Sequence, residues 1–441
     1  MTRRLILLCL LSTLAVPVQR AASATEPPRY RETALEAARW IRSAAVESDR
    51  GRAWPADPAD RKTVSSGLYS GVSGIVLFFV QAYRCTQDEA HLKEARAGAE
   101  YLLRSLDGET QNGLYVGLAG IGFALQETFK VSRDTRHRDG ARRCVELLTK
   151  RARHAGKGVE WNDVTDIISG TAGIGLFLLY AARELEDKSA LRLASQAGER
   201  LLEQARPWGG GLKWEMSSRS ERLMPNFSHG TAGVAYFLAS LYLEGKMQPF
   251  LDAALAGAKY LQGVAQTEGD GCLIFHHEPG GEKLFYLGWC HGPVGTARLF
   301  YRLHQATGER VWLDWVERCG RAVLRSGIPE KQTPGFWNNV SQCCGSAGVA
   351  EFCLDLHVVT KNREYLAFAR HLTADLLRRS TRDDKGVRWE GAEFRVKPEL
   401  LNTQTGYMQG AAGIGMLLLH LDGLDCGRSD RIVFPDSPFN G

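Results

Sequence analysis

Five residues capable of metal or acid/base chemistry share one local setting. His229, the pair Cys290-His291 and the pair Cys343-Cys344 each run directly into a glycine that opens a Gly-x-x-Gly tetrapeptide, and Asp166 stands four residues before another such glycine. Thiolate and imidazole are the donors zinc prefers, and a catalytic zinc keeps three protein ligands and one open position. Cys290, Cys343 and Cys344 would supply three thiolates and leave that position to water or a substrate sulfur. A carboxylate can orient an imidazole and tune its proton affinity, which makes His229 with Asp166 a candidate acid/base unit. The same cysteines allow a different reading: Cys343 and Cys344 could close a vicinal disulfide, or Cys290 could pair with one of them.

Bringing these residues together requires a repeating scaffold, and the repeat is visible in the glycines. Gly71, Gly117, Gly170, Gly230, Gly292, Gly345 and Gly410 each begin the tetrapeptide, at steps of 46, 53, 60, 62, 53 and 65 residues. An apolar stretch follows every one, such as GIVLFFVQAY after the first and GIGMLLLHL after the last. Between them lie segments with apolar residues three or four apart and charges on the other face: 33–47, 93–106, 137–153, 189–206, 249–265, 311–326 and 364–380. Helices apolar all round belong inside and amphipathic ones outside. The chain therefore predicts an all-α fold, an α/α toroid of seven helical hairpins with seven inner and seven outer helices. Unequal repeat lengths argue against an open solenoid. In a toroid every loop leading into an inner helix opens at the same mouth, where the small residues permit close backbone approach. Converging helix N-termini would favour thiolates and an anionic intermediate there.

The 441 residues, 44% of them hydrophobic, suffice for a large core, and no linker or composition shift divides the chain. Residues 1–24 read as an export signal: Arg3 and Arg4, an apolar run from Leu5 to Val18, and Ala22-Ser23-Ala24 as a cleavage site. The expected organisation is thus a signal at 1–24, one toroid domain at 25–425 and a looser Pro-, Asp- and Ser-containing tail at 426–441, in a secreted or periplasmic protein with no stable membrane insertion. Loss of Arg3, Arg4 and Arg20 takes the formal charge from +5 to +2, which is no nucleic-acid footprint. Of ten cysteines, Cys9 leaves with the signal. Cys85, Cys144, Cys319 and Cys353 fall within predicted helices and read as small core residues. Cys272 and Cys426 have no assignment, and His276 and His277 read as surface residues of a loop. Asn226 and Asn339 stand in glycosylation sequons within mouth loops, where a glycan would obstruct the site, so both are expected to stay unmodified.

The ordered series SGLYSGVSG, TDIISGTAG, SHGTAG, GWCHGPVG, QCCGSAG and GYMQGAAGIG resembles the lanthionine synthetase C-like family across nearly all of the mature chain. The resemblance implies an α/α toroid with one Zn2+ at its mouth. It places Cys290 and Cys343 on two zinc cysteines and Cys344 where the commoner pattern has histidine, a three-cysteine variant. It places His229 and Asp166 on the acid/base histidine and its carboxylate, and His291 on a further site position. The implied activity is Michael-type addition of a cysteine thiol to dehydroalanine or dehydrobutyrine in a peptide or protein, giving a thioether. Two departures stand out: Tyr286 occupies a position where some cyclases carry arginine, and the chain holds no dehydratase, so a separate one would act upstream. Addition of a small thiol such as glutathione, a non-catalytic zinc-containing binding protein, and an α/α toroid glycosidase working with two carboxylates are the competing readings.

Overall fold

Every Gly-x-x-Gly tetrapeptide starts a helix at the residue after its first glycine. In the computed structural model, which describes residues 29–428 and 430–439, the inner helices are α2 (Val72–Thr86), α4 (Leu118–Ser132), α6 (Thr171–Glu184), α8 (Thr231–Gly245), α10 (Pro293–Thr307), α12 (Ser346–Thr360) and α14 (Ala411–Asp425). The outer helices are α1 (Tyr30–Ser43), α3 (Glu89–Ser105), α5 (Thr135–Arg151), α7 (Lys188–Gln204), α9 (Gln248–Val264), α11 (Arg310–Leu324) and α13 (Arg363–Arg378). Each inner helix packs on its two inner neighbours, and α14 returns to α2. The result is the predicted closed α/α toroid. The ring is sealed by joining the ends of the chain, because α1 is the outer partner of α14, and Arg31 Nε donates to Asp422 Oδ2 at 3.0 Å across that seam. The predicted signal, residues 1–24, lies outside the described residues. No helix among the described residues is long and apolar enough to cross a membrane.

The turns from inner to outer helix are short and follow capping rules. Gln87, Arg133 and Lys361 end inner helices in the left-handed region, and one residue later Asp88, Asp134 and Asn362 each accept a backbone N–H of the next helix. The return from outer to inner helix is longer and carries short strands that helical periodicity does not reveal. There are three hairpins, β1 (Val46–Ser48) with β2 (Gly51–Ala53), β3 (Arg153–Ala155) with β4 (Gly158–Glu160) and β5 (Arg206–Trp208) with β6 (Gly211–Lys213). A three-stranded sheet of β7 (Ser380–Asp383), β8 (Gly386–Ala392) and β9 (Leu401–Thr403) occupies the last return. Trp161, Trp214 and Trp389 lie on or just past such strands, and each indole donates to a carbonyl near the end of the preceding outer helix, at 2.7 to 2.8 Å. That bond fixes where the chain turns towards the mouth.

The tail differs from its expected looseness. Ile432, Phe434 and Phe439 are buried, and Phe434 stacks on Tyr407. Arg431 Nη2 binds Asp355 Oδ1 at 2.6 Å, and fully buried Asp436 accepts from Arg298 at 3.0 Å and from Tyr115 and Trp289 at 3.1 Å each. Residues 431–439 thus pack against the inner helices as part of the core.

Candidate metal and acid/base site

The glycines shape the mouth by proximity to their own loops. A Cβ on Gly230 would stand 1.5 Å from the Met224 carbonyl oxygen, and one on Gly173 would stand 2.0 Å from that of Ile167. Each pre-helix loop therefore folds directly onto the start of its helix. The close backbone approach that the small residues permit at the mouth is thus made mainly with the loop preceding the same helix.

Seven such loops are linked edge to edge. Backbone N–H groups donate in a circuit: Tyr69 to Tyr115 (2.8 Å), Tyr115 to Ile168 (3.0 Å), Ile167 to Ser228 (3.1 Å), Ser228 to Cys290 (3.0 Å), Cys290 to Cys343 (3.3 Å), Cys343 to Met408 (3.0 Å) and Met408 back to Tyr69 (2.8 Å). Buried backbone polar groups need such partners, so the circuit holds its members in register. It converts positions separated by tens of residues into neighbours. The N–H groups at the starts of α6 and α12 are used locally: Thr171, Ala172 and Gly173 donate to Val164, Thr165 and Asp166, and Ser346, Ala347 and Gly348 to Asn339, Val340 and Ser341. The helix N-termini give the mouth a favourable dipole, but these donors are not free to bind an anion.

Cys290, Cys343 and Cys344 are all buried, and their sulfurs lie within 4.8 Å of one another. Sγ of Cys344 is 3.0 Å from that of Cys290 and 3.4 Å from that of Cys343. All three are free thiols here, so the vicinal and cross-loop disulfides are not formed. This donor set fits zinc in type and number, and its sulfurs are close enough together to share one ion. Hydrogen bonds from Cys290 and Cys344 hold the Cys343 thiol well below its ordinary value, with Tyr69 adding a third. Burial pushes Cys290 up, and hydrogen bonds with the other two thiols push Cys344 up.

Beside it, His229 Nδ1 donates to Asp166 Oδ2 at 2.6 Å. Asp166 is itself fixed, since its Oδ1 accepts the N–H groups of Ser169 and Gly170 at 2.8 Å each. Burial lowers the proton affinity of His229, but the hydrogen bond and charge of Asp166 outweigh it and raise the net value. His291 is buried with its ring centroid 5.6 Å from that of His229, and its Nδ1 has no hydrogen-bond partner. All six residues singled out in the sequence therefore meet at one mouth.

Three residues near the site differ from the sequence expectation. Tyr69 donates to Cys343 and is held in place by Gln409 Nε2 at 2.8 Å. Its signal was its position two before the first glycine, the same as Cys290 and Cys343. His276, expected on the surface, is half-buried with its ring 4.0 Å from His291, and burial lowers it to about 4. His277 is also buried. Nothing in local sequence marks them, because their loop reaches the mouth through the fold.

The sequence matches the lanthionine synthetase C-like protein family over residues 62–426, most of its length. The chain belongs to the lanthionine synthetase C-like family. Among solved structures it is similar to nisin cyclase at a TM-score of 0.63 and 17% identity, covering 89% of this chain and 93% of that one. A GH76 α-mannanase of Bacteroides thetaiotaomicron matches at a TM-score of 0.52 and 13% identity over 90% of this chain and 97% of that one. Similarity at such identities speaks for the shared toroid alone. No curated protein matches the chain. Within this family member, the thiol cup and the Asp166–His229 pair lie on consecutive segments of one hydrogen-bonded ring.

Proposed function

We propose that this lanthionine synthetase C-like chain is a three-cysteine zinc enzyme that forms thioethers by adding a cysteine thiol to dehydroalanine or dehydrobutyrine in a peptide. The observation that supports it is the buried three-thiol cup beside a carboxylate-held histidine at the same mouth. Cys290, Cys343 and Cys344 would hold the zinc, which when bound lowers the proton affinity of a substrate thiol and leaves one position open to it. The thiol loses its proton to solvent, and its sulfur forms a bond to the β carbon while the alkene electron pair moves to give an enolate. His229, whose proton affinity Asp166 raises, returns one proton to the α carbon from Nε2, since Nδ1 is committed to the carboxylate, and recovers it from solvent. The addition is thereby proton-neutral overall. His291 and His276 pack together beside His229, and Tyr69, held by Gln409, supports Cys343.

The toroid glycosidase reading needs two carboxylates facing a sugar. The residues one and two before the seven glycines include no carboxylate, and Asp166 is already bound to His229 and its own loop. The enzyme would act after export, as a domain of residues 25–425, on residues dehydrated by a separate enzyme. Metal analysis of the mature chain and its turnover of a dehydrated peptide bearing a free cysteine test the proposal together. One zinc per chain, lost in Cys344→Ala along with activity, is the expected result. A folded His229→Ala variant with full activity would overturn the acid role.

A further inference from the structure

The turn between β8 and β9 is unlike the rest of the surface. Of six large apolar side chains exposed among the described residues, three lie in this turn, Phe394 (55%), Val396 (71%) and Leu400 (54%), and a fourth, Leu401 (43%), opens β9 directly after it. The base of the loop is fixed. Ala392 N–H donates to Asn338 at 2.8 Å, and its carbonyl accepts from Trp337 Nε1 at 2.7 Å and Asn339 Nδ2 at 3.0 Å. The tip is two consecutive turns, closed by Lys397 N–H to Phe394 and Leu400 N–H to Lys397. Between the exposed Phe394 and Val396, Arg395 is half-buried, and it lies close enough to Tyr286 for its charge to oppose the upward push of burial on that hydroxyl. Tyr286 is buried against Trp337 (5.2 Å between ring centroids) and His291 (5.7 Å). One loop thus places a guanidinium beside Tyr286, at the edge of the site, and an apolar knuckle outside it.

Clustered apolar exposure of this kind marks a surface that something covers. Here the patch is continuous, through Arg395 and Tyr286, with the mouth itself, so whatever enters the site passes over it. We propose that the 393–401 loop is the substrate rim of this enzyme, with Arg395 as its positioning residue, and that it selects an extended peptide whose reacting residue is flanked by apolar side chains. The inference rests on the function proposed above and narrows it. Glutathione is small, polar and anionic and offers nothing apolar to the knuckle. A peptide with leucine, valine or phenylalanine beside its reacting residue would cover it.

Binding separates this inference from the activity it rests on. The probe is a fluorescein-labelled peptide without cysteine, with serine in place of the dehydrated residue and Leu, Val and Phe around it, compared with the same peptide flanked by Asn and Ser. Fluorescence anisotropy on the zinc-loaded full chain should show about tenfold tighter binding of the apolar-flanked peptide. The double variant Phe394→Ser/Val396→Ser, at exposed positions and checked by its melting temperature, should lose that preference. Arg395→Gln should weaken both peptides, with Arg395→Lys recovering part of the loss. A wild-type chain that binds both peptides equally or neither, or a double variant that keeps the preference, overturns the rim. If the preference is found but no thioether forms, the proposed activity fails and the rim stands. If thioether forms with no preference, the reverse holds.

Discussion

Asp166 divides its oxygens between structure and chemistry: Oδ1 is held by two backbone N–H groups and Oδ2 holds His229. The raised proton affinity of His229 has a definite sign. Its stabilising contribution is complete below the unfolded value of about 6.5 and is lost as pH rises through the folded value. Activity that depends on the imidazolium falls along the same limb. Asp166→Asn should move the basic limb of the kcat/KM profile to lower pH and cost roughly 100-fold in rate, and a limb that stays in place would remove His229 from proton delivery. At the cup, Cys343→Ala removes the sulfur that both neighbouring thiols and Tyr69 address, so zinc retention after dialysis against a chelator should drop from one per chain to near zero. Cys344→His, which restores an imidazole donor, should keep the metal. What the sequence disclosed at this scale was the address, the one or two residues before each first glycine. It disclosed five of the six candidates because their types are rare there, and Asp166, four residues before Gly170, as a carboxylate for the imidazole. Tyr69 has that address but an unremarkable type, and His276 has the type without the address.

Helix periodicity was readable because two kinds of helix alternate, one apolar all round and one amphipathic, and each inner helix opens on glycine. The strands between them were not readable, since three-residue hairpins are too short to show alternation, and their placement depends on indoles that donate 13 residues back, as Trp214 does to Leu201. The glycines themselves test whether the mouth is built as described. Gly230 has an extended conformation that any residue adopts, so the consequence of Gly230→Ala comes from contact alone: its methyl would meet the Met224 carbonyl at 1.5 Å. The loop must shift, and His229 is the residue next to it. Chemical denaturation should show a loss of about 1–3 kcal/mol, together with reduced turnover in chains that still fold. Gly108, with nothing within 4 Å, is the control, and Gly108→Ala should leave both unchanged.

Closure of the toroid depends on residues far apart in the chain, which is why the tail was the least legible part. Its proline, aspartate and serine content suggests a loose end, yet Ile432, Phe434 and Phe439 supply apolar surface and Asp436 supplies the one carboxylate that reaches Arg298, Tyr115 and Trp289 together. Arg298 is itself largely buried, and a buried charge is strongly destabilising once its partner is removed, typically by about 3–5 kcal/mol. Asp436→Ala should therefore lower stability by that order, whereas Asp436→Asn, which still offers an acceptor to Tyr115 and Trp289, should cost less. The effect should reach the mouth, because Trp289 leads directly into Cys290, whose N–H and carbonyl are both links in the backbone circuit. Thermal melts recorded with and without zinc distinguish the two consequences. If the tail is a strut for the site as well as core filling, Asp436→Ala will gain less stabilisation from zinc than the wild-type chain does. Equal gains in the two proteins would confine the tail to packing, and an unchanged melting temperature would mean that Arg298 finds another partner.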